Sequence, residues 1–249
     1  MKARPLHPHA ALLLEGKKKY VAVSDLHIGL ESELGGKGIT VRSSLVGEMQ
    51  NELLSLVASA GADGLVLLGD VKNTIGSISR QEWDDVPRLF KKLSSAADVY
   101  LVPGNHDGNI RHLIPDSVNV IGSKGMVIED TLFLHGHSLP SDARSHVDRI
   151  VMGHLHPIFL KSGSVVNGQR VWIYMQAKKG ALFAEQGSLE IVVVPSFNKY
   201  LYAEGRGPRR STSPIISRVT ASPDSIQECV IATLDGSIVG DASVLQSVL

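Results

Sequence analysis

The chain has a single cysteine, Cys229, among its 249 residues. That excludes an internal disulfide and any zinc site built on several thiolates. Aromatic residues make up only 5% of the chain, so no ladder of rings is available for stacking nucleobases. Neither charge sign is in excess, with 25 lysines and arginines against 25 aspartates and glutamates. A global basic surface for nucleic acid is therefore missing, and so is an acidic solvating tail. No apolar run reaches the roughly 20 residues of a membrane span. Ala10 to Leu14 is too short for a signal-peptide core and is followed by Lys17-Lys18-Lys19. A soluble, cytoplasmic protein is expected. Internal repeats and low-complexity segments are absent as well.

What the chain does contain is concentrated in five segments: Ser24-Asp25-Leu26-His27, Gly69-Asp70, Gly104-Asn105-His106-Asp107, His135-Gly136-His137 and Gly153-His154-Leu155-His156. Each follows an apolar run that reads as a buried strand: Tyr20–Val23, Leu65–Leu68, Val99–Val102, Thr131–Leu134 and Arg149–Met152. In an open α/β sheet, ligands bind at the carboxyl ends of the strands. Six of the ten histidines lie in these segments, and histidine is the commonest metal ligand.

The apolar content of 43% supports a substantial core. Ala11–Leu14 and Tyr20–Val23 read as paired strands. Gly29 to Gly38 is polar and glycine-rich and reads as a loop over the pocket. Thr40 can cap a helix running to about Ala60, with Leu45, Met49, Leu53, Leu56 and Val57 at helical spacing. A second helix is expected over Ser79 to Ser94, with Pro87 near its start or kinking it. Strand–helix–strand–helix–strand is the signature of a parallel sheet. From Val118 onward, short strands separated by turns predict a second, mostly antiparallel sheet packed on the first, including Val171–Tyr174, Ala181–Ala184 and Leu189–Val194. Residues 1–204 are read as one domain and 205–214, rich in breakers, as a mobile loop. Residues 215–249 are read as an extension ending in a hairpin around Asp235-Gly236.

Asp25 and His27 stand two apart, so on a continuing strand both side chains would point the same way. Asp70 can bridge two cations through its two oxygens. Asn105 offers an amide oxygen, and His135, His154 and His156 add imidazoles. Oxygen and nitrogen donors without thiolate suit Mn²⁺, Fe, Zn²⁺ or Ni²⁺. Seven ligands suit two ions sharing Asp70, which could generate a bridging hydroxide and clamp an oxyanion under in-line attack. Phosphate esters are the natural substrate for such a site.

In their order along the chain these segments resemble the calcineurin-like metallophosphoesterases. The resemblance spans Asp25 to His156 and implies an α/β fold, a two-sheet αββα sandwich with helices flanking mixed sheets. It implies one ion held by Asp25, His27, Asp70 and His156 and a second by Asp70, Asn105, His135 and His154, with Mn²⁺ the expected cation. It further implies that His106 donates a proton to the leaving oxygen, with Asp107 orienting or charge-tuning that imidazole. Ser24 to Glu31, Gly69-Asp70-Val71-Lys72, Glu82-Trp83, Gly153 to Pro157 and Val194 to Asn198 are similar to an archaeal and bacterial subgroup of predicted phosphoesterases (ICC-like). Asn73 stands where that subgroup carries histidine.

Plainer readings apply to other residues. His137 reads as a pocket-wall histidine, His112 and His146 as solvated, and Asp107 could equally cap a helix near Asn109. Lys17–Lys19, Lys178-Lys179 and Arg206, Arg209 and Arg210 read as solvated, although Arg206–Arg210 folded over the pocket could hold a phosphate. Trp83 and Trp172 read as core. Glu31 and Glu33 could support the site or be loop residues. The function expected is hydrolysis of a phosphodiester or phosphomonoester, with a non-catalytic metal-binding scaffold of the same fold, or a nuclease, as alternatives. Nucleic acid finds no support in the charge balance, and an exposed edge of the second sheet would support a homodimer.

Overall fold

The computed structural model describes residues 1–39, 44–201 and 212–249. Among these, six strands form the first sheet: β1 (Lys2–Pro5), β2 (Leu12–Glu15), β3 (Lys19–Val23), β4 (Gly64–Leu67), β5 (Asp98–Leu101) and β6 (Asn119–Val120), in that spatial order. β1 and β2 pair antiparallel, while β3 to β6 run parallel. The crossover helices are α2 (Leu45–Ala60) and α3 (Arg80–Leu93), preceded by a short α1 (Leu30–Gly36).

The second sheet comprises β7 (Met126–Ile128), β8 (Thr131–Leu134), β9 (Arg149–Met152), β10 (Ile158–Phe159), β11 (Gln169–Lys178), β12 (Ser188–Val193), β13 (Ile226–Thr233) and β14 (Ile238–Gly240). Its order is β14-β13-β11-β12-β9-β8-β7, with β10 on β11. Its pairings are mostly antiparallel, as expected, but the sheet is mixed, because β8, β9 and β12 run parallel to one another. The C-terminal strands β13 and β14 lengthen this sheet through β11, and α4 (Pro214–Val219) and α5 (Leu245–Val248) complete the chain.

Alternation of side chains along the strands produces four layers. Val21, Val23, Leu65, Leu67, Val99 and Leu101 pack with Leu53, Leu56, Val86, Leu89 and Phe90 of the helices. Their neighbours Tyr20, Ala22, Val66 and Leu68 face the other way and meet Phe133, Val151, Trp172, Val192 and Val194 between the sheets. The outer face of the second sheet buries Ile150, Met152, Ile173 and Ile191 against Ile215, Ile216 and Val219 of α4 and Leu245 and Val248 of α5. Both sheets are thus covered on both faces, as near-continuous apolar runs require.

Several expectations change. Residues 29–38 contain helix α1, because Leu30 and Leu34, one helical turn apart, are both buried behind a left-handed Gly29. Thr40 lies outside the described residues, and the α2 cap is Ser44, whose hydroxyl accepts from Gly47 N. Pro87 sits inside α3 rather than at its start. Residues 181–184 are no strand; Leu182 and Phe183 are buried from the turn joining β11 to β12. Trp172 is core, but Trp83 is 52% exposed on α3. Lys179 is buried, its ammonium 3.5 Å from both Asp148 and Glu185 carboxylates. Residues 205–211, and with them Arg206, Arg209 and Arg210, lie outside the described residues, whereas Ser213 caps α4 and Pro214 begins it. No helix among the described residues is long and apolar enough to cross a membrane.

Candidate metal centre

The seven candidate ligands follow β3, β4, β5, β8 and β9, all in the parallel parts of the two sheets. The strands stop before the ligands, yet pairing between neighbouring chains continues. Asp25 N donates to Gly69 O, His27 N to Asp70 O and Ile28 N to Val71 O. Asp25, His27, Asp70, His154 and His156 all adopt positive φ, from 44° to 72°. Asp and His tolerate this region better than most residues, at a cost of about 1 kcal/mol each. Asp25 and His27 therefore converge through left-handed turns, and not by the same-side rule of a continuing strand.

Two glycines make the approach feasible. A Cβ on Gly104 would lie 2.5 Å from Asp70 N, and one on Gly153 would lie 2.7 Å from Asp25 Oδ2. Any side chain at either position would push a carboxylate out of place.

Donor atoms of Asp25, His27, Asp70 and His156 fall within 4.8 Å of one another, as do those of Asp70, His135 and His154. His27 Nε2 is 3.4 Å from His156 Nε2 and 3.8 Å from Asp70 Oδ2, while His156 Nε2 is 3.1 Å from Asp25 Oδ1. His135 Nε2 lies 3.3 Å from Asp70 Oδ2 and 3.2 Å from Asn105 Oδ1. Carboxylate, imidazole and amide donors aimed at common points, with Asp70 in both groups, are a donor set that fits two divalent cations. His137 stands outside both groups, its ring 5.3 Å from that of His135 and 6.2 Å from that of His154, as a wall beside the centre. His112 and His146 are exposed.

Electrostatics divide the imidazoles. Burial, reinforced by the His156 charge, pushes His27 down to about 3. Burial and His135 push His154 down to about 4. Burial also opposes charging of His135, but its hydrogen bond to Asp70 and the charges of Asp70 and Asp25 prevail and lift it to about 9. Asp70 is correspondingly held well below the carboxylate range, against its own burial, by His135 first and then by His27 and His106. His135 Nδ1 lies 2.6 Å from Leu68 O, an acceptor only, so that nitrogen carries a proton and Nε2 faces the centre.

His106 lies beside this centre, with Nε2 3.9 Å from Asp70 Oδ2. Its backbone N–H donates to Asp70 Oδ1. Its Nδ1 is 2.6 Å from Asn73 O, which can only accept, so Nδ1–H is the donor and Nε2 is presented to the site. The expected orienting role of Asp107 is thus filled by a backbone carbonyl. The Asp107 carboxylate is instead saturated by Val71 N, Lys72 N and Gly104 N, locking the loop that carries Asn105 and His106 to the end of β4. It caps no helix either, since the 3₁₀ turn Ile110–His112 has no side-chain cap. The departure at position 73 is bridged by its backbone, while its amide Nδ2 donates to Glu33 Oε2 at 2.8 Å. Glu31 ties α1 to α2 and α3 by accepting from Leu45 N and Gln81 Nε2.

The calcineurin-like phosphoesterase family profile matches residues 18–158, more than half of the chain. The protein belongs to the calcineurin-like phosphoesterases, a dinuclear metal-dependent family for which it carries matching Asp and His clusters. Among solved structures, nuclease MPE from Pseudomonas putida aligns over 96% of this chain and 99% of its own, with 18% identity and a TM-score of 0.56. Yfce, a phosphoesterase from E. coli, aligns over 90% of this chain and 98% of its own, with 16% identity and a TM-score of 0.41. The first supports the fold assignment. No curated protein matches the chain.

Proposed function

We propose that this protein hydrolyses phosphate esters with two divalent cations, Mn²⁺ foremost, and His106 as general acid. The observation that carries the reading is His106 Nε2 beside two donor groups that share Asp70. Asp25, His27, Asp70 and His156 would hold one cation, and Asp70, Asn105, His135 and His154 the other. Bound there, the cations would supply an acidified water and neutralise the phosphoryl oxygens. His106, anchored at Nδ1 by Asn73 O, is placed to donate a proton from Nε2 to the leaving oxygen as the P–O bond to it breaks and the bond to water oxygen forms. Asp107 acts as a positioning residue for the Gly104–Asp107 loop. The setting proposed is cytoplasmic.

The substrate classes to compare are diesters, monoesters and nucleic acid. One solved structure aligned over nearly all of both chains is a nuclease, so a nucleic acid probe, single-stranded DNA, is included with bis-p-nitrophenyl phosphate, p-nitrophenyl phosphate and an alkyl diester. Mn²⁺-loaded protein is expected to turn over at least one of them. His106→Ala should keep its metal content and lose about 10²- to 10⁴-fold on the alkyl diester, whose leaving oxygen needs a proton. Inactivity across the whole panel would favour the scaffold reading, and an unimpaired His106→Ala would remove the general-acid assignment.

A further inference from the structure

Glu82 is fully buried at the start of α3. Its capping box with Ser79 accounts for one bond to its carboxylate, from Ser79 N at 2.6 Å. Three more exceed what a helix cap needs. Oε1 accepts from Asn73 N at 2.9 Å and Thr74 N at 2.8 Å, and Oε2 accepts from the Thr74 hydroxyl. Lys72, also fully buried, gathers the carbonyls of the same turn: Ser77 O at 3.1 Å, Ile75 O at 3.4 Å and Thr74 O. The turn over residues 73–79 is therefore strung between a buried anion that collects the N–H groups of Asn73, Thr74 and Ser79 and a buried cation that collects the carbonyls of Thr74, Ile75 and Ser77. The Asn73 carbonyl is not gathered by Lys72 and points instead at His106 Nδ1.

We infer that Glu82 is a positioning residue for the general acid: by fixing the Asn73–Thr74 backbone it aims Asn73 O, and through it the imidazole of His106, at the leaving oxygen. The inference rests on the phosphoesterase reading above. Buried hydrogen-bonded groups that set a ring's tautomer and direction are costly to disturb, and a misaimed proton donor costs most where the leaving group needs it most. A role confined to capping α3 would instead lower stability and slow all substrates alike.

The test compares wild type, His106→Ala and Glu82→Gln, all Mn²⁺-loaded, on bis-p-nitrophenyl phosphate and on an alkyl phosphodiester. Glu82→Gln keeps the carboxylate's shape but places an NH₂ group against existing donors. It should lower kcat on the alkyl diester about 10- to 100-fold with KM held, and lower kcat on the p-nitrophenyl ester less than about threefold. In zinc-loaded protein, the hydrogen-bonded Nδ1 proton resonance of His106 should shift or broaden by NMR. If Glu82→Gln does not fold, Thr74→Val, which removes one donor to Glu82, should give the same split on a smaller scale. Equal losses on the two esters, or an unchanged Nδ1 resonance, would overturn the inference. If His106→Ala itself shows no leaving-group dependence, the general-acid reading fails instead, so the two failures are distinguishable.

Discussion

The two halves of the candidate metal centre reach similar donor sets by different means. Asp25, His27 and His156, together with the shared Asp70, all stand in left-handed backbone. Their half has two carboxylates, and His27 is kept neutral by burial, with its Nδ1 lacking a hydrogen-bond partner among the described residues. In the other half only Asp70 and His154 are left-handed. There His135 is held by hydrogen bonds at Leu68 O and Asn105 and is paired with Asp70, which lifts it to about 9. One half carries left-handed strain at all four of its donors and keeps His27 unprotonated. The other carries it at two of four and keeps a proton on His135, where a cation would bind.

Removing the shared carboxylate should erase the contrast. Asp70→Asn is expected to lose cations from both halves and drop hydrolysis to background, read by metal analysis and turnover. A second experiment sharpens it. Because His135 is protonated below about 9, a cation entering its half must displace that proton. Affinity there should climb about tenfold per pH unit between roughly 7 and 9. At neutral pH, titration calorimetry in buffers of differing ionisation enthalpy should report about one proton released. The His27 half, its imidazole neutral throughout this range, should show no such contribution from His27.

A third variant attacks the geometry between the halves. Gly104→Ala puts a methyl group against the Asp70 backbone and should destabilise by about 2 kcal/mol, measured by denaturant melting, while weakening both cations. The smallest effect is expected at His137. His137→Ala should leave cation stoichiometry unchanged and alter affinity of the His135 half by less than about tenfold.

Most of the scaffold was legible because the five site-bearing strands are largely apolar runs followed by segments of Asp, His or Asn. Both the layers and the convergence of the seven donors follow from that pattern. What escaped depends on backbone. The spacing of Asp25 and His27 suggested a continued strand, but Val23 is the last residue of β3 and left-handed turns do the converging. The group that aims His106 is a carbonyl, which has no signature in side-chain identity. Glu82-Trp83 was visible as a pair, yet the polar member is buried, where it answers four donors, and the aromatic one is exposed. Lys179 looked solvated in a lysine pair, and its burial follows only once Asp148 and Glu185 are brought alongside.

Asp25 Oδ2 accepts the His154 backbone N–H at 3.1 Å, so a residue trailing the first sheet clasps one trailing the second. Cations bound beside that clasp would act as rivets across the seam of the sandwich. Their binding energy would then be shared by both sheets, about 2.7 kcal/mol per site at a hundred times the dissociation constant. Melting of the loaded protein should consequently be a single concerted event, with chelation loosening both sheets together.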